Sequence, residues 1–142
     1  CAEMDLEWNR RYRSLDESSA EQEAQTRLDE RHAMSKAFAH YQELGLFGLL
    51  LRTGGEVVAF TIGSLINSET VDVHFEKAYS ELQGAYPLIN REFARWIREH
   101  CPQVRWLNRE DDMGLEGLRR SKESYHPDRM VVKCSAVPCG SK

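Results

Sequence analysis

At 142 residues, with 41% hydrophobic and 30% charged residues, the sequence is long enough to bury a core and too apolar for a disordered chain. A formal net charge of -4 argues against a general grip on nucleic acid, and no DNA partner is expected. No apolar run reaches membrane-spanning length and no signal-peptide pattern opens the sequence, so a cytoplasmic location is expected.

Met4, Trp8, Tyr12 and Leu15 recur at helical spacing and predict a short amphipathic helix. Residues 16–20 are polar and read as a linker, with Ser18 or Ser19 capping a second helix that runs to about residue 44. Met34, Ala37, Phe38 and Tyr41 form its apolar stripe, and Gly45 terminates it. His32 and His40 on this helix read as surface or core-edge positions. Apolar runs at 46–53 and 57–62 are joined by Gly54-Gly55, a hairpin signal. Asn67-Ser68 marks a second turn, so the strand from Val71 completes an antiparallel meander. Along it Val71, Val73 and Phe75 alternate with Asp72, His74 and Glu76. A period of two then puts the three polar side chains on one face.

A helix is predicted from Gly84. Ala85, Leu88, Ile89, Phe93, Trp96 and Ile97 lie on one side of it, and Arg91, Glu92, Arg95, Arg98 and Glu99 on the other. Pro87 falls in its first turn, where the missing N–H has no helical partner. His100-Cys101-Pro102 ends it. A short strand at 104–107, a charged loop at 108–112, a helix at 113–122 capped by Asp112, a turn at 124–128 and a last strand at 130–133 complete the chain. Three meander strands followed by strand–helix alternation define an α+β fold, with a mixed sheet flanked by helices. Cys1, Cys101, Cys134 and Cys139 lack zinc-ligand spacing and read as free thiols, so no metal is expected.

Glu76 and His74 are the candidate bases, since either side chain takes a proton from an attacking amine. The competing reading is the wet face of an antiparallel sheet. Lys77 adjoins Glu76 but points to the opposite face. It reads equally as a ligand contact or a surface charge. Gln83, Gly84 and Ala85 lie where a strand runs into a helix start, a place that suits an anionic ligand. A plain turn is the alternative. Asn108 leaves the end of a strand, and Arg109, Arg119 and Lys122 offer charge to a phosphate or carboxylate. Arg119 and Lys122 are neighbours on one helix, and Glu116 with Arg120 makes a simple surface pair. A solvated helix cap is the alternative for this charged run.

The segments VHFEKAY at 73–79, QGAYPLIN at 83–90, LNREDDMGLEGLRRSK at 107–122 and SYHP at 124–127 resemble the phosphatidylglycerol lysyltransferase C-terminal-like family. The element order is similar to a GNAT acyltransferase. The resemblance implies a single GNAT-like domain over 1–142, the C-terminal half of a longer tandem protein, with an N-terminal GNAT-like half as partner. It implies transfer of an acyl or aminoacyl group, from acyl-CoA or aminoacyl-tRNA, to an amine or hydroxyl. No tightly bound cofactor is expected. By the same resemblance Glu76 serves as base and the Gln83–Ala85 turn receives the donor's phosphates. Tyr125 protonates the leaving group, unless it is simply a packed tyrosine. The alternative is a binding or structural half whose cleft needs its partner.

Overall fold

The computed structural model describes residues 2–11 and 20–137. The chain forms two compact units, Cys1–Glu110 and Asp111–Lys142. In the first, α1 (Ala2–Arg11) and α2 (Ala20–Ala39) precede β1 (Phe47–Thr53), β2 (Glu56–Asn67) and β3 (Thr70–Ala78). Helix α3 (Ala85–His100) and the short β4 (Trp106–Asn108) follow. The sheet order is β1-β2-β3-β4, antiparallel at the first two pairings and parallel at the last. The second unit carries α4 (Glu116–Glu123).

The predicted meander is present, and both its turns fall where glycine or asparagine chemistry places them. Gly54 and Gly55 take φ of 56° and 86°, a backbone that side chains resist. Asn67 Oδ1 accepts the Glu69 N–H at 2.9 Å and closes the second turn.

The sheet buries both faces. On one, Val58, Phe60, Ile62, Phe75 and Tyr79 pack with Met4 of α1 and Met34 of α2. On the other, Ala59 and Ala78 pack on Ala85 and Ile89 of α3, and Val71 and Val73 on its Phe93 and Ile97. Phe47 anchors α3 to β1, its ring 5.9 Å from Phe93 and 5.4 Å from Trp96. Burying Ile89, Phe93 and Ile97 contributes about 1.5–3 kcal/mol each, so α3 is held by packing more than by intrinsic propensity. The predicted stripe of α2 is also seen, with Met34 buried and Ala37, Phe38 and Tyr41 half-buried. Met4 is buried as expected. Tyr12, Leu15 and the proposed caps Ser18 and Ser19 lie outside the described residues, as does the side chain of Trp8.

Three boundaries and one element differ from expectation, the first being β4, which spans Trp106–Asn108 where a strand at 104–107 is expected. Helix α2 ends at Ala39, and a turn carries the chain to Gly45 at φ 59°. Helix α4 starts at Glu116 because Met113 and Gly114 take positive φ, 50° and 76°, which no right-handed helix accommodates. Asp112 therefore closes a turn instead of capping, its Oδ1 accepting the Gly114 N–H at 2.9 Å. Residues 130–133 form no strand, and Met130, Val131 and Val132 are 77–85% exposed. Strand propensity needs a ladder, and the described residues of this unit include no second strand.

Candidate functional site

Strand β4 runs beside β3 for three pairs only, Thr70↔Trp106, Val71↔Leu107 and Asp72↔Asn108. Beyond them β3 continues through residues 73–78 while β4 has ended. The two parallel strands thus part next to the polar residues of β3.

A bulge decides which way those residues point. Phe75 pairs with Ile62, and the next pair is Val73 with Gly63, so His74 is the extra residue on β3. The extra residue reverses the alternation. Val71 and Val73 face α3 before the bulge, and Ala78 faces α3 after it. Glu76 accordingly turns to α3, whereas Asp72 and His74 remain on the α2 side. Strict alternation had put all three on one face. Gly63 opposite the bulge carries no side chain because a Cβ there would run into the Asp72 carbonyl oxygen.

On the α3 face Glu76 is held at both oxygens. Oε1 accepts from Arg109 Nη2 at 2.7 Å and Oε2 from Asn90 Nδ2 at 3.1 Å. The carboxylate side chain is 10% exposed and the guanidinium side chain 23%. Asn90 is a functional candidate that sequence reasoning missed. Its place beside the buried Ile89 is legible as helical geometry, but its partner on β3 depends on the bulge.

On the α2 face His74 Nε2 lies 2.8 Å from Ser64 Oγ, and His74 Nδ1 lies 3.4 Å from Asp72 Oδ2. Burial pushes the Asp72 carboxyl above the usual carboxylate range, Glu110 beside it pushes further, and His74 with Asn108 pulls the other way. Asn108 Oδ1 also accepts the Glu110 N–H at 3.2 Å, which holds the loop after β4. Lys77 points to this face, opposite Glu76 as expected, but is 3% exposed with its ammonium 2.9 Å from Glu30 of α2. That ion pair ties β3 to α2 and accounts for the lysine structurally.

At the start of α3, Gly84 takes φ 86° and a Cβ there would meet nothing within 4 Å. Glycine is required for its backbone conformation, not for close approach of a neighbour. The Ala85 N–H donates to Leu82 O at 3.0 Å, Pro87 has none, and the Leu88 N–H donates to Gly84 O at 2.9 Å. The helix start therefore presents fewer amides to a ligand than its position in sequence suggests. Gln83 is exposed beside it.

In the second unit, Arg119 Nε donates to Asp112 Oδ2. Lys122 Nζ donates to the Asp111 carbonyl at 2.5 Å, and Lys133 Nζ to Asp111 Oδ2 at 3.0 Å. Arg119 holds the Asp112 carboxyl down to about 2, with the Gly114 N–H as second cause. The two basic residues expected to meet a ligand thus knit the loop 111–115 to α4. Arg120 and Glu116 pair at 2.7 Å as the spacing predicts. Tyr125 follows α4, 38% exposed, its N–H on Lys122 O. Among the described residues no group of three His, Cys, Asp or Glu side chains gathers to hold a metal ion.

A meander joined through a helix to a parallel strand that soon parts from it is the GNAT-like α+β fold, and known acetyltransferases share it. An aminoglycoside N-acetyltransferase in complex with a CoA bisubstrate analogue has a TM-score of 0.56 at 12% identity, over 74% of this chain and 80% of that one. A ribosomal-protein-alanine N-acetyltransferase from Brucella melitensis has a TM-score of 0.51 at 16% identity, over 70% of this chain and 73% of that one. The sequence matches the family described as phosphatidylglycerol lysyltransferase, C-terminal, over residues 1–136, and the chain belongs to that family. A conserved protein of unknown function from Bacteroides thetaiotaomicron is 41% identical with a TM-score of 0.77, over 92% of this chain. This chain spans 40% of that longer one. No curated protein matches the sequence significantly. No helix among the described residues is long and apolar enough to cross a membrane.

Proposed function

We propose that this acyltransferase-like domain transfers an acyl or aminoacyl group, from a thioester or a charged tRNA, to an amine or hydroxyl acceptor. The observation that carries the reading is the parting of β3 and β4 beside Glu76, a mostly buried carboxylate oriented by Arg109 and Asn90. A carboxylate fixed at both oxygens attracts and aligns an acceptor's ammonium or hydroxyl. It takes the acceptor's proton when the longer Asn90 bond gives way. The acetyltransferases that share the fold support a CoA thioester as donor, and family membership supports aminoacyl-tRNA. For a donor phosphate at Gln83, Gly84 and Ala85 the support is the turn itself, since Ala85 and Pro87 offer it no amide.

Calorimetric titration of the chain with acetyl-CoA and, separately, with charged tRNA tests this. Saturable binding of one donor is expected, and Glu76→Gln should leave that binding intact while slowing transfer by roughly 100-fold or more. A second reading, a non-catalytic half of a tandem protein, is favoured by the chain's spanning only 40% of its longer relative. Binding of neither donor by a folded chain would select it.

A further inference from the structure

We infer that Ser64, His74 and Asp72 form a second reactive site on the α2 face, in which Ser64 is an acylatable nucleophile for short apolar acyl esters or thioesters. The site does not depend on the transfer chemistry proposed around Glu76, which lies on the opposite face of the sheet.

Three observations converge. Ser64 Oγ is 2.8 Å from His74 Nε2, within reach for direct proton transfer. The other ring nitrogen, Nδ1, lies 3.4 Å from Oδ2 of the buried Asp72, which favours the tautomer with its proton on Nδ1 and leaves Nε2 as acceptor. Both Ser64 and His74 line a cavity of about 360 Å³ whose remaining walls are Ala37, Leu44, Leu46 and Phe75. A serine and a histidine are thus the polar groups of an otherwise apolar recess, the arrangement in which an acyl chain seats with its carbonyl at the hydroxyl. The bulge at His74 makes the constellation: without the extra residue Phe75 and His74 would alternate and only one would line the recess.

The step balances without any absent group. Ser64 Oγ bonds to the acyl carbon while its proton passes to His74 Nε2. The bond from that carbon to the leaving oxygen or sulfur breaks, and the leaving group departs with the proton. Water, deprotonated by His74, then attacks the acyl-serine, and Ser64 recovers its proton as the carboxylic acid leaves. Asp72 touches no substrate and is a positioning residue.

The test is covalent labelling of the folded chain with a fluorophosphonate and with 4-nitrophenyl butyrate, read by peptide mass mapping. One adduct at Ser64 is expected, absent in Ser64→Ala and slowed roughly 100-fold or more in His74→Ala. Asp72→Asn should slow labelling while circular dichroism stays unchanged. In Ser64→Cys, iodoacetamide should alkylate the introduced thiol faster than the exposed Cys134, and adding His74→Ala should remove the difference. No adduct on folded wild type, equal labelling of other serines such as Ser68, or wild-type labelling in His74→Ala would overturn the inference.

Discussion

Glu76 and His74 stand two residues apart on β3 and face opposite sides of the sheet, one bound to Asn90 of α3 and the other to Ser64 over the α2 side. The Glu76–Arg109 pair is therefore a link between β3 and the end of β4, and its removal has a definite sign. Glu76→Gln leaves the Arg109 guanidinium without its counter-charge and sets an amide donor against the Asn90 amide. The expected loss is about 1–3 kcal/mol, below a fully buried pair because Arg109 keeps some contact with water. Urea unfolding of Glu76→Gln, Arg109→Met and the double variant measures it. A double variant more stable than the sum of the singles is expected, and strict additivity would show that the two side chains do not interact.

The bulge also explains why part of the site was illegible in sequence. The meander, its two turns, most of the buried face of α3 and the stripe of α2 are local patterns of period two or 3.6, and the structure follows them, with Leu88 of the expected α3 face exposed and Asn90 buried instead. An extra residue in a strand leaves no such trace. Nothing in VDVHFEKA says that His74 is unpaired, because the cause lies across the ladder at Gly63, where only glycine clears the Asp72 carbonyl. Lys77, Arg119 and Lys122 are legible as charges but their partners are not, since the Glu30 and Asp112 carboxylates and the Asp111 backbone carbonyl reach them through tertiary or loop geometry. Residues 130–133 show the converse, a strand-forming composition with no ladder to join.

Two glycines should fail for different reasons when replaced by alanine. Gly63→Ala drives a methyl into the Asp72 carbonyl and the Val71 side chain, and overpacking of that kind costs about 1–3 kcal/mol. Gly84→Ala meets no atom within 4 Å but must adopt φ 86°, a left-handed penalty of about 1–2 kcal/mol. Asparagine tolerates that conformation better. Gly84→Asn should therefore recover part of the loss, and Gly63→Asn should recover none. Thermal melts of the four variants check this, and equal behaviour of the two asparagines would contradict the assignment.

Asp72 gives stability a pH dependence of unusual sign for a carboxylate. Burial and Glu110 raise its folded value above the ordinary 3.8, so the folded state holds the proton more tightly than the unfolded one. The associated stability is fully present below about pH 3.8. It is lost as pH rises through the raised folded value. Asp72→Asn carries no titratable group there and should flatten this part of the profile, leaving the variant more stable than wild type at neutral pH. Urea midpoints from about pH 3.5 to about pH 7 compare the two, and a wild-type curve parallel to that of Asp72→Asn would refute the shift.

Asp112 runs the other way. Arg119 and the Gly114 N–H hold its carboxyl at about 2, below the ordinary 3.8, so the turn at 111–115 gains from an ionised Asp112 at any pH above that ordinary value. The gain is lost as pH falls from about 3.8 through 2, when protonation releases the guanidinium. Carbon-detected NMR titration of the Asp112 carboxyl should place its midpoint near 2. Arg119→Ala removes the larger cause and should move that midpoint most of the way back toward 3.8, with a smaller depression kept by the Gly114 amide. A midpoint unaltered in Arg119→Ala would mean that the loop's own backbone, and not α4, fixes this carboxylate.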